Sequence, residues 1–308
     1  MQRLNLDDAI AASLPGAIVA LGNFDGFHLG HQAVVSRAVA RGHHERRPVI
    51  VATFDPHPVR HFKPDIPPFR LTSLDQRERL FEHAGADAML VFAFDDALAA
   101  TSAEDFVADL LARRIGASGI VTGEDFTFGR GRGGNAAILS QLGARHGIAA
   151  EAVAPVALDG EPVSSSRIRD ALVAGDPGTA THLLTRPFAV EGVVQRGDAR
   201  GRELGYPTTN LTLGSYQRPA YGIYAVRVRL DDDSEHAGVA SLGVRPTFAP
   251  PVELLEAHLF DFDGDLYGRT IEVALHAFIR PEEKFDDLAE LTTRMREDEG
   301  AARRLLGI

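Results

Sequence analysis

The chain has 308 residues, room for roughly two domains of about 150 residues each, and its 44% hydrophobic and 24% charged content excludes wholesale disorder. Cysteine is absent, which excludes disulfides and thiolate metal sites. The net charge of −11, carried as −4 through Arg186 and −7 beyond it, lacks the basic excess of a nucleic-acid binder.

The only lysines, Lys63 and Lys284, lie outside any P-loop or protein-kinase context. Phosphate chemistry here must therefore use arginine, histidine, backbone N–H groups or a metal. No apolar run approaches the ~20 residues of a membrane span, and Met1–Gly16 lacks the apolar core of a secretory leader. A cytoplasmic protein with no membrane partner is expected.

In chain order, Ala17–Leu21 reads as a buried strand, His28–Arg41 as an amphipathic helix and Val49–Phe54 as a second strand. Ser73 with Gln76 forms a capping box for a helix to about His83. Met89–Phe94 is a strand, and Thr101 with Glu104 opens a helix to about Arg114. Ile120–Thr122 is a strand, Asn135 caps a helix to about His146, and Ile148–Val153 closes the series. This alternation predicts a Rossmann-like α/β domain with a parallel sheet over residues 1–186. Beyond it, Phe188–Gln195, Tyr224–Leu230, Gly238–Leu242, Leu254–Phe260 and Ile271–Phe278 are strands without intervening helices. Asp231–Asp233 and Asp263-Gly264 read as hairpin turns. A small antiparallel β-barrel over 187–308 is expected, ending in the charged amphipathic helix Phe285–Leu306.

Four motifs of the first part point to a nucleotide. The first strand runs into Gly22-Asn23-Phe24-Asp25-Gly26-Phe27-His28-Leu29-Gly30-His31 and then a helix. His28 and His31, three apart, share one helical face at an N-terminus that favours anions. Gly30 lets a phosphate come close, and two imidazoles can donate to charge building on an α-phosphate. The second strand exits through Thr53-Phe54-Asp55-Pro56-His57-Pro58, whose prolines stiffen it and set Asp55 and His57 over the same edge. Gly123-Glu124-Asp125-Phe126-Thr127-Phe128-Gly129 again follows a strand, with Phe126 and Phe128 suited to a flat ring. Ser164, Ser165 and Ser166 with Arg169 open a short helix as a polyphosphate clamp. Read alone, each is also compatible with ordinary polar loop ends and helix caps.

In order and spacing these motifs resemble the adenylyltransferase module of the bifunctional riboflavin kinase/FMN adenylyltransferase (FAD synthetase) family. The second part is similar to that family's kinase module. It carries Gly201-Arg202-Glu203-Leu204-Gly205-Tyr206-Pro207-Thr208-Thr209-Asn210, Gly238–Phe248, Leu255-Glu256-Ala257-His258-Leu259 and Phe278-Ile279-Arg280. Thr209 stands where the family has alanine, and Ser241 where it usually has asparagine. The resemblance implies a nucleotidyltransferase domain and a riboflavin-kinase barrel. Riboflavin would become FMN at the second and FMN would become FAD at the first, with ATP, riboflavin and FMN as substrates. Thr208 and Asn210 offer oxygens two apart on an extended segment, suited to Mg²⁺ held mainly by phosphates, with Pro207 beside them. The loop Gly197–Gly205 can cover a nucleotide. Glu256 is costly in an apolar strand without a task or partner. The resemblance makes it the general base, although alternation alone also allows an outward-facing glutamate.

Two other readings compete. One is a monofunctional nucleotidyltransferase with a flavin-binding regulatory barrel, and the other is a flavin sensor without catalysis. Glu256 with Pro207-Thr208-x-Asn210 argues against the first, and retention of His28, His31 and Glu256 against the second, because binding alone needs none of them. Gly129-x-Gly131-x-x-Gly134 matches a dinucleotide fingerprint but does not directly follow its strand. Asp261, Asp263, Asp265 and Glu272 mimic a calcium loop, but Leu266 occupies the glycine position.

Overall fold

The computed structural model describes residues 1–196, 206–245, 252–285 and 287–308. Contacts divide the chain into two compact units, residues 1–67 with 74–164, and residues 68–73 with 165–308.

In the first unit, β1 (Gln2–Leu4), β2 (Ile18–Leu21), β3 (Val49–Asp55), β4 (Ala88–Ala93), β5 (Gly119–Gly123) and β6 (Ala149–Val153) form a parallel sheet. Their order is β1-β4-β3-β2-β5-β6. All of β2 and all of β3 but its last residue are buried, as strands covered on both faces require. One core runs through Val19, Leu21, Ile50, Leu90 and Phe106. The other, on the opposite face, holds Ile18, Ala20, Val35, Val51 and Phe81. The chain steps outward from β2 to β3 to β4, then crosses to β5 and β6 on the far side. Open α/β sheets bind ligands at this reversal, beyond the carboxyl ends of the strands.

Asn135 caps its helix as expected, accepting from the Ile138 N–H at 3.0 Å. The capping box expected at Thr101 lies one residue later. Ser102 Oγ accepts from the Asp105 N–H at 3.0 Å and donates to the Asp105 carboxylate at 2.7 Å. Thr101 instead closes the preceding turn, its hydroxyl donating to the Ala97 carbonyl at 2.9 Å. From Phe106 to Arg114 the helix widens to π-type turns, with the Ile115 N–H reaching Leu110 O at 3.0 Å.

In the second unit, β7 (Phe188–Val193), β8 (Thr209–Leu211), β9 (Gly222–Arg229), β10 (Glu235–Arg245), β11 (Val252–Leu259) and β12 (Thr270–Arg280) pair antiparallel in the order β7-β12-β9-β10-β11-β8. The Gln195 N–H donates to Asn210 O at 2.9 Å, bridging the two edge strands so that the sheet nearly closes into a barrel. Alternation sends Tyr224, Val226, Leu242, Leu255 and Ala257 to the core. Ala225, Val239 and Ala277 face outward, where Ala302 of the helix Leu288–Leu306 packs on them. That helix starts later than the expected Phe285, because Asp287 caps it by accepting from the Ala289 N–H at 2.9 Å. The helices Ser165–Val173 and Pro177–Leu184 belong by contacts to this unit. The second sheet itself begins at Phe188, just past Arg186.

The terminal helix is tied to β12 by a bidentate pair. Arg280 Nε and Nη2 donate to the two Asp298 oxygens at 2.8 and 2.7 Å, and Asp298 is buried. Removing one partner of a buried pair costs about 3–5 kcal/mol when the other is left alone; Arg280 would keep Glu283 at 3.5 Å, which sets the expected loss at the lower end, about 3 kcal/mol. Asp298→Ala should therefore lower the unfolding free energy of the second unit by that amount in urea titration, and Asp298→Asn by less. A loss below ~1 kcal/mol for the alanine variant would show that the pair does not hold the helix.

Candidate functional site

β2, β3 and β5 are sheet neighbours, so the segments leaving their carboxyl ends lie along one edge. These segments are Gly22–His31, Thr53–Pro58 and Gly123–Gly129, three of the four motifs. Phe24, Gly26 and Phe27 all have positive φ, at 48°, 87° and 47°, which makes the turn before the helix Leu29–Glu45 tight. Two non-glycine residues so close together in that region mark stored backbone strain, a feature of functional turns. Asp25 is buried inside the turn.

His28 is the helix cap, its Nδ1 accepting from the His31 N–H at 3.4 Å. A neutral His28 ring then carries its proton on Nε2, as a donor. The His31 ring stacks on it, centroids 3.6 Å apart and planes 18° apart, with Phe24 edge-on to His31 at 5.3 Å. A β-carbon at Gly30 would stand 3.2 Å from His28 Cε1, so glycine is what lets the cap ring fold over the first turn. The Thr53 hydroxyl donates to the Asn23 carbonyl at 2.7 Å, tying the first motif to the second. Asn23 Oδ1 is buried and accepts no hydrogen bond. Asp55 ends β3 and is joined to Pro56 by a cis peptide. His57 caps the short helix Pro58–Phe62, its Nδ1 accepting from the Val59 N–H at 3.2 Å. Phe126 and Phe128 stack with centroids 5.9 Å apart, while Asp125 is exposed.

The fourth motif is divided. Ser164 ends the first unit, whereas Ser165, Ser166 and Arg169 lie on a helix of the second. There Arg169 Nε donates to the Phe69 carbonyl at 2.8 Å and the guanidinium lies 5.0 Å from the Phe69 ring centroid.

On the barrel, Asn210 is directly opposite Glu256, and Glu256 is directly opposite Ser241 on the next strand. Cross-strand partners point to one face with β-carbons roughly 5 Å apart, and here that is the outer face, away from Leu255 and Ala257. Glu256 is half-buried. Glu253, three residues earlier on the strand, accepts from the Tyr221 hydroxyl at 2.6 Å and pairs with Arg218 at 2.7 Å. The hydrogen bond to Glu253 pushes the Tyr221 hydroxyl up to about 12.

Among the described residues no cluster of three or more His, Cys, Asp or Glu is arranged to hold a metal. Asn210 Oδ1 is nevertheless buried and accepts no hydrogen bond, with Thr208 half-buried two residues before it. Neutral oxygens of this kind fit a hard divalent cation whose other ligands are phosphates and water. Gly197 and Gly205 lie outside the described residues. The motif-by-motif reading missed a cleft of about 510 Å³, walled by Tyr206, Pro207, His258, Phe262, Arg296 and Arg303. His258 Nδ1–H donates to the Pro207 carbonyl at 2.9 Å and its ring meets Tyr206 edge-on at 5.0 Å. The signal was present in His258, on the same strand face as Glu256 two residues on.

Comparison with known proteins supplies the family context. The FAD synthetase family model matches residues 10–167, and the riboflavin kinase family model matches residues 184–306. The chain is 38% identical over 293 residues to the bifunctional riboflavin kinase/FMN adenylyltransferase of Escherichia coli strain K12, covering 95% of this chain and 94% of that one. It is 40% identical to the protein of the same description from Pseudomonas fluorescens over 291 residues, covering 94% and 93%. A crystal structure described as a macrolide-efflux protein from Streptococcus pneumoniae superposes with a TM-score of 0.86 at 31% identity, over 98% of this chain and 99% of that one. Among the described residues of the present chain, no helix is long and apolar enough to cross a membrane.

Proposed function

The chain belongs to the bifunctional riboflavin kinase/FMN adenylyltransferase family, and on that premise we propose which of its residues carry each activity. It phosphorylates riboflavin to FMN in its C-terminal part and adenylylates FMN to FAD in its N-terminal part, with ATP as donor in both steps. Our division puts the adenylyltransferase in residues 1–186 and the kinase in 187–308, close to the two family matches.

In adenylyl transfer an FMN phosphate oxygen attacks the α-phosphorus of ATP, and the bond to the bridging oxygen breaks to release diphosphate. His28 and His31 donate to the charge that builds on the α-phosphate. Their stacking at a helix N-terminus supports that role. Gly22–Gly26 and Gly30 with Thr53, Asp55, Pro56, His57 and Pro58 form the nucleotide cradle. Gly123, Asp125, Phe126 and Phe128 face a flat ring. Ser164, Ser165, Ser166 and Arg169 clamp the polyphosphate.

In the kinase step Glu256 takes the proton of the ribityl 5′-hydroxyl, whose oxygen attacks the γ-phosphorus while ADP leaves. Thr208 and Asn210 would hold Mg²⁺, which when bound neutralises charge on the transferring phosphates. Pro207, with Gly197 and Gly205, borders the nucleotide. The observation that carries this assignment is the cross-strand pair of Asn210 and Glu256, which gives a cation ligand and a base one address on the outer face. Product analysis with riboflavin and Mg·ATP should show FMN and then FAD. FAD made only from supplied FMN would favour a transferase with a regulatory barrel, and neither product would favour a sensor.

Three substitutions separate the sites. His31→Ala should lower FAD formation about 10²- to 10³-fold, the scale of losing one oxyanion-type donor, while FMN formation persists; equal loss of both products would defeat the assignment. Asn210→Ala should cripple FMN formation from riboflavin and spare FAD formation from FMN, and an unchanged kinase rate at saturating Mg²⁺ and ATP would refute the metal assignment. Glu256→Gln should lower kinase kcat by about 10² to 10⁴, the range of base catalysis, with riboflavin binding retained. A near-normal Glu256→Gln enzyme beside an inactive Glu253→Gln enzyme would move the base to Glu253.

A further inference from the structure

Arg77 is the bulkiest fully buried side chain among the described residues, 1% exposed in the first unit. It stands on the helix Leu74–His83 within the polar run Asp75-Gln76-Arg77-Glu78-Arg79, which reads as a solvated face. The fold turns it inward instead. Its Nη1 donates to Thr53 Oγ1 at 3.0 Å and to the Asn23 carbonyl at 3.3 Å. The Thr53 hydroxyl donates to that same carbonyl at 2.7 Å. A guanidinium, a hydroxyl from the exit of β3 and a carbonyl from the turn after β2 thus close one network.

Burying a guanidinium costs several kcal/mol, and an apolar side chain of similar volume would fill the space without that cost. The charge therefore has to act on what it touches. We propose that Arg77 is a positioning residue for adenylyl transfer. It locks the Gly22–Gly26 turn to the Thr53–Pro58 strand exit, at the edge of the sheet where both segments end. The proposal rests on the assignment of those segments to the nucleotide site. With two donors on its carbonyl, the Asn23 peptide keeps one orientation, and the turn that delivers His28 five residues later starts from a fixed plane.

The test is steady-state kinetics of both half-reactions on Arg77→Lys, Arg77→Met and Thr53→Val, with flavin titration by fluorescence. Misplacement of a catalytic loop by about 1 Å costs of order 10²-fold. Arg77→Met should therefore lower adenylylation kcat about 10- to 100-fold, with FMN affinity and riboflavin phosphorylation unchanged. Arg77→Lys, which keeps charge but loses the fork, should recover part of that loss. Thr53→Val keeps the arginine and its fold, so it reports even if Arg77→Met fails to fold. In the double variant that combines Thr53→Val with Arg77→Lys the two kcat losses should not add, because both break the same network. Additive losses, or kinase activity falling in parallel, would make Arg77 merely structural and overturn the proposal. Wild-type adenylylation in Arg77→Met beside a crippled His31→Ala enzyme would overturn the proposal while leaving the site assignment standing. Wild-type adenylylation in both variants would overturn the site assignment as well.

Discussion

A strand buried on both faces can offer chemistry only where it ends, whereas a strand buried on one face can offer it along its whole length. The two units of this chain follow from that difference. β2 and β3 are apolar and closed in on both sides, so the polar residues of the first unit collect in the loops at their carboxyl ends. The reversal of strand order between β2 and β5 sets three such loops side by side. In the barrel, alternation sends Leu255 and Ala257 to the core and leaves Glu256, with Asn210 and Ser241 across from it, on the outer face.

The shortage of lysine shapes both sites. Only two lysines occur in the chain, and neither has a phosphate-binding context. On the proposed assignment, the first unit relies on imidazoles at a helix start and backbone donors of a tight turn, with a buried guanidinium holding that turn. Of these, the turn and the cap are local: Gly26 and Gly30 allow the chain to fold back and the His28 ring to lie over the first helical turn. The guanidinium is not local, since Arg77 reaches Asn23 across more than fifty positions of sequence. On the proposed assignment, the second unit offers neutral oxygens and a carboxylate, and would leave most of a cation's coordination to the nucleotide.

What the sequence made legible follows the same division. The β/α alternation, the helix start at His28, the Asn135 cap and the barrel strands are local patterns, and each is found near its expected place. One local signal was misjudged by a single residue, and one short strand was not foreseen. Thr101 and Ser102 are adjacent hydroxyls with Glu104 and Asp105 adjacent acids, and only the backbone geometry decides which pair forms the box. β8 has three residues, too few to show a period, and exists because β11 and Gln195 offer it partners. Arg77 was invisible because a run of polar residues does not say which one turns inward. The split of the serine motif was equally hidden: Ser165–Val173 is a helix in either unit, and only its contacts assign it to the second.

An outer face that carries chemistry must be covered in one region and open in another, and side-chain size decides which. Ala225 and Ala277 are small enough for Ala302 to approach closely, so the terminal helix settles there and buries that region. Asn210, Glu256 and Ser241 present polar groups that no apolar helix face could satisfy without a desolvation cost. Asp298 is placed where Arg280 emerges from β12, and their bidentate pair fixes the helix against the strand. That anchoring bears on the cleft at His258, because Arg296 and Arg303, which wall it, stand on the same helix within two and five residues of Asp298. The ion pair thus stabilises more than a terminal helix: it fixes the helix that supplies one wall of that cleft.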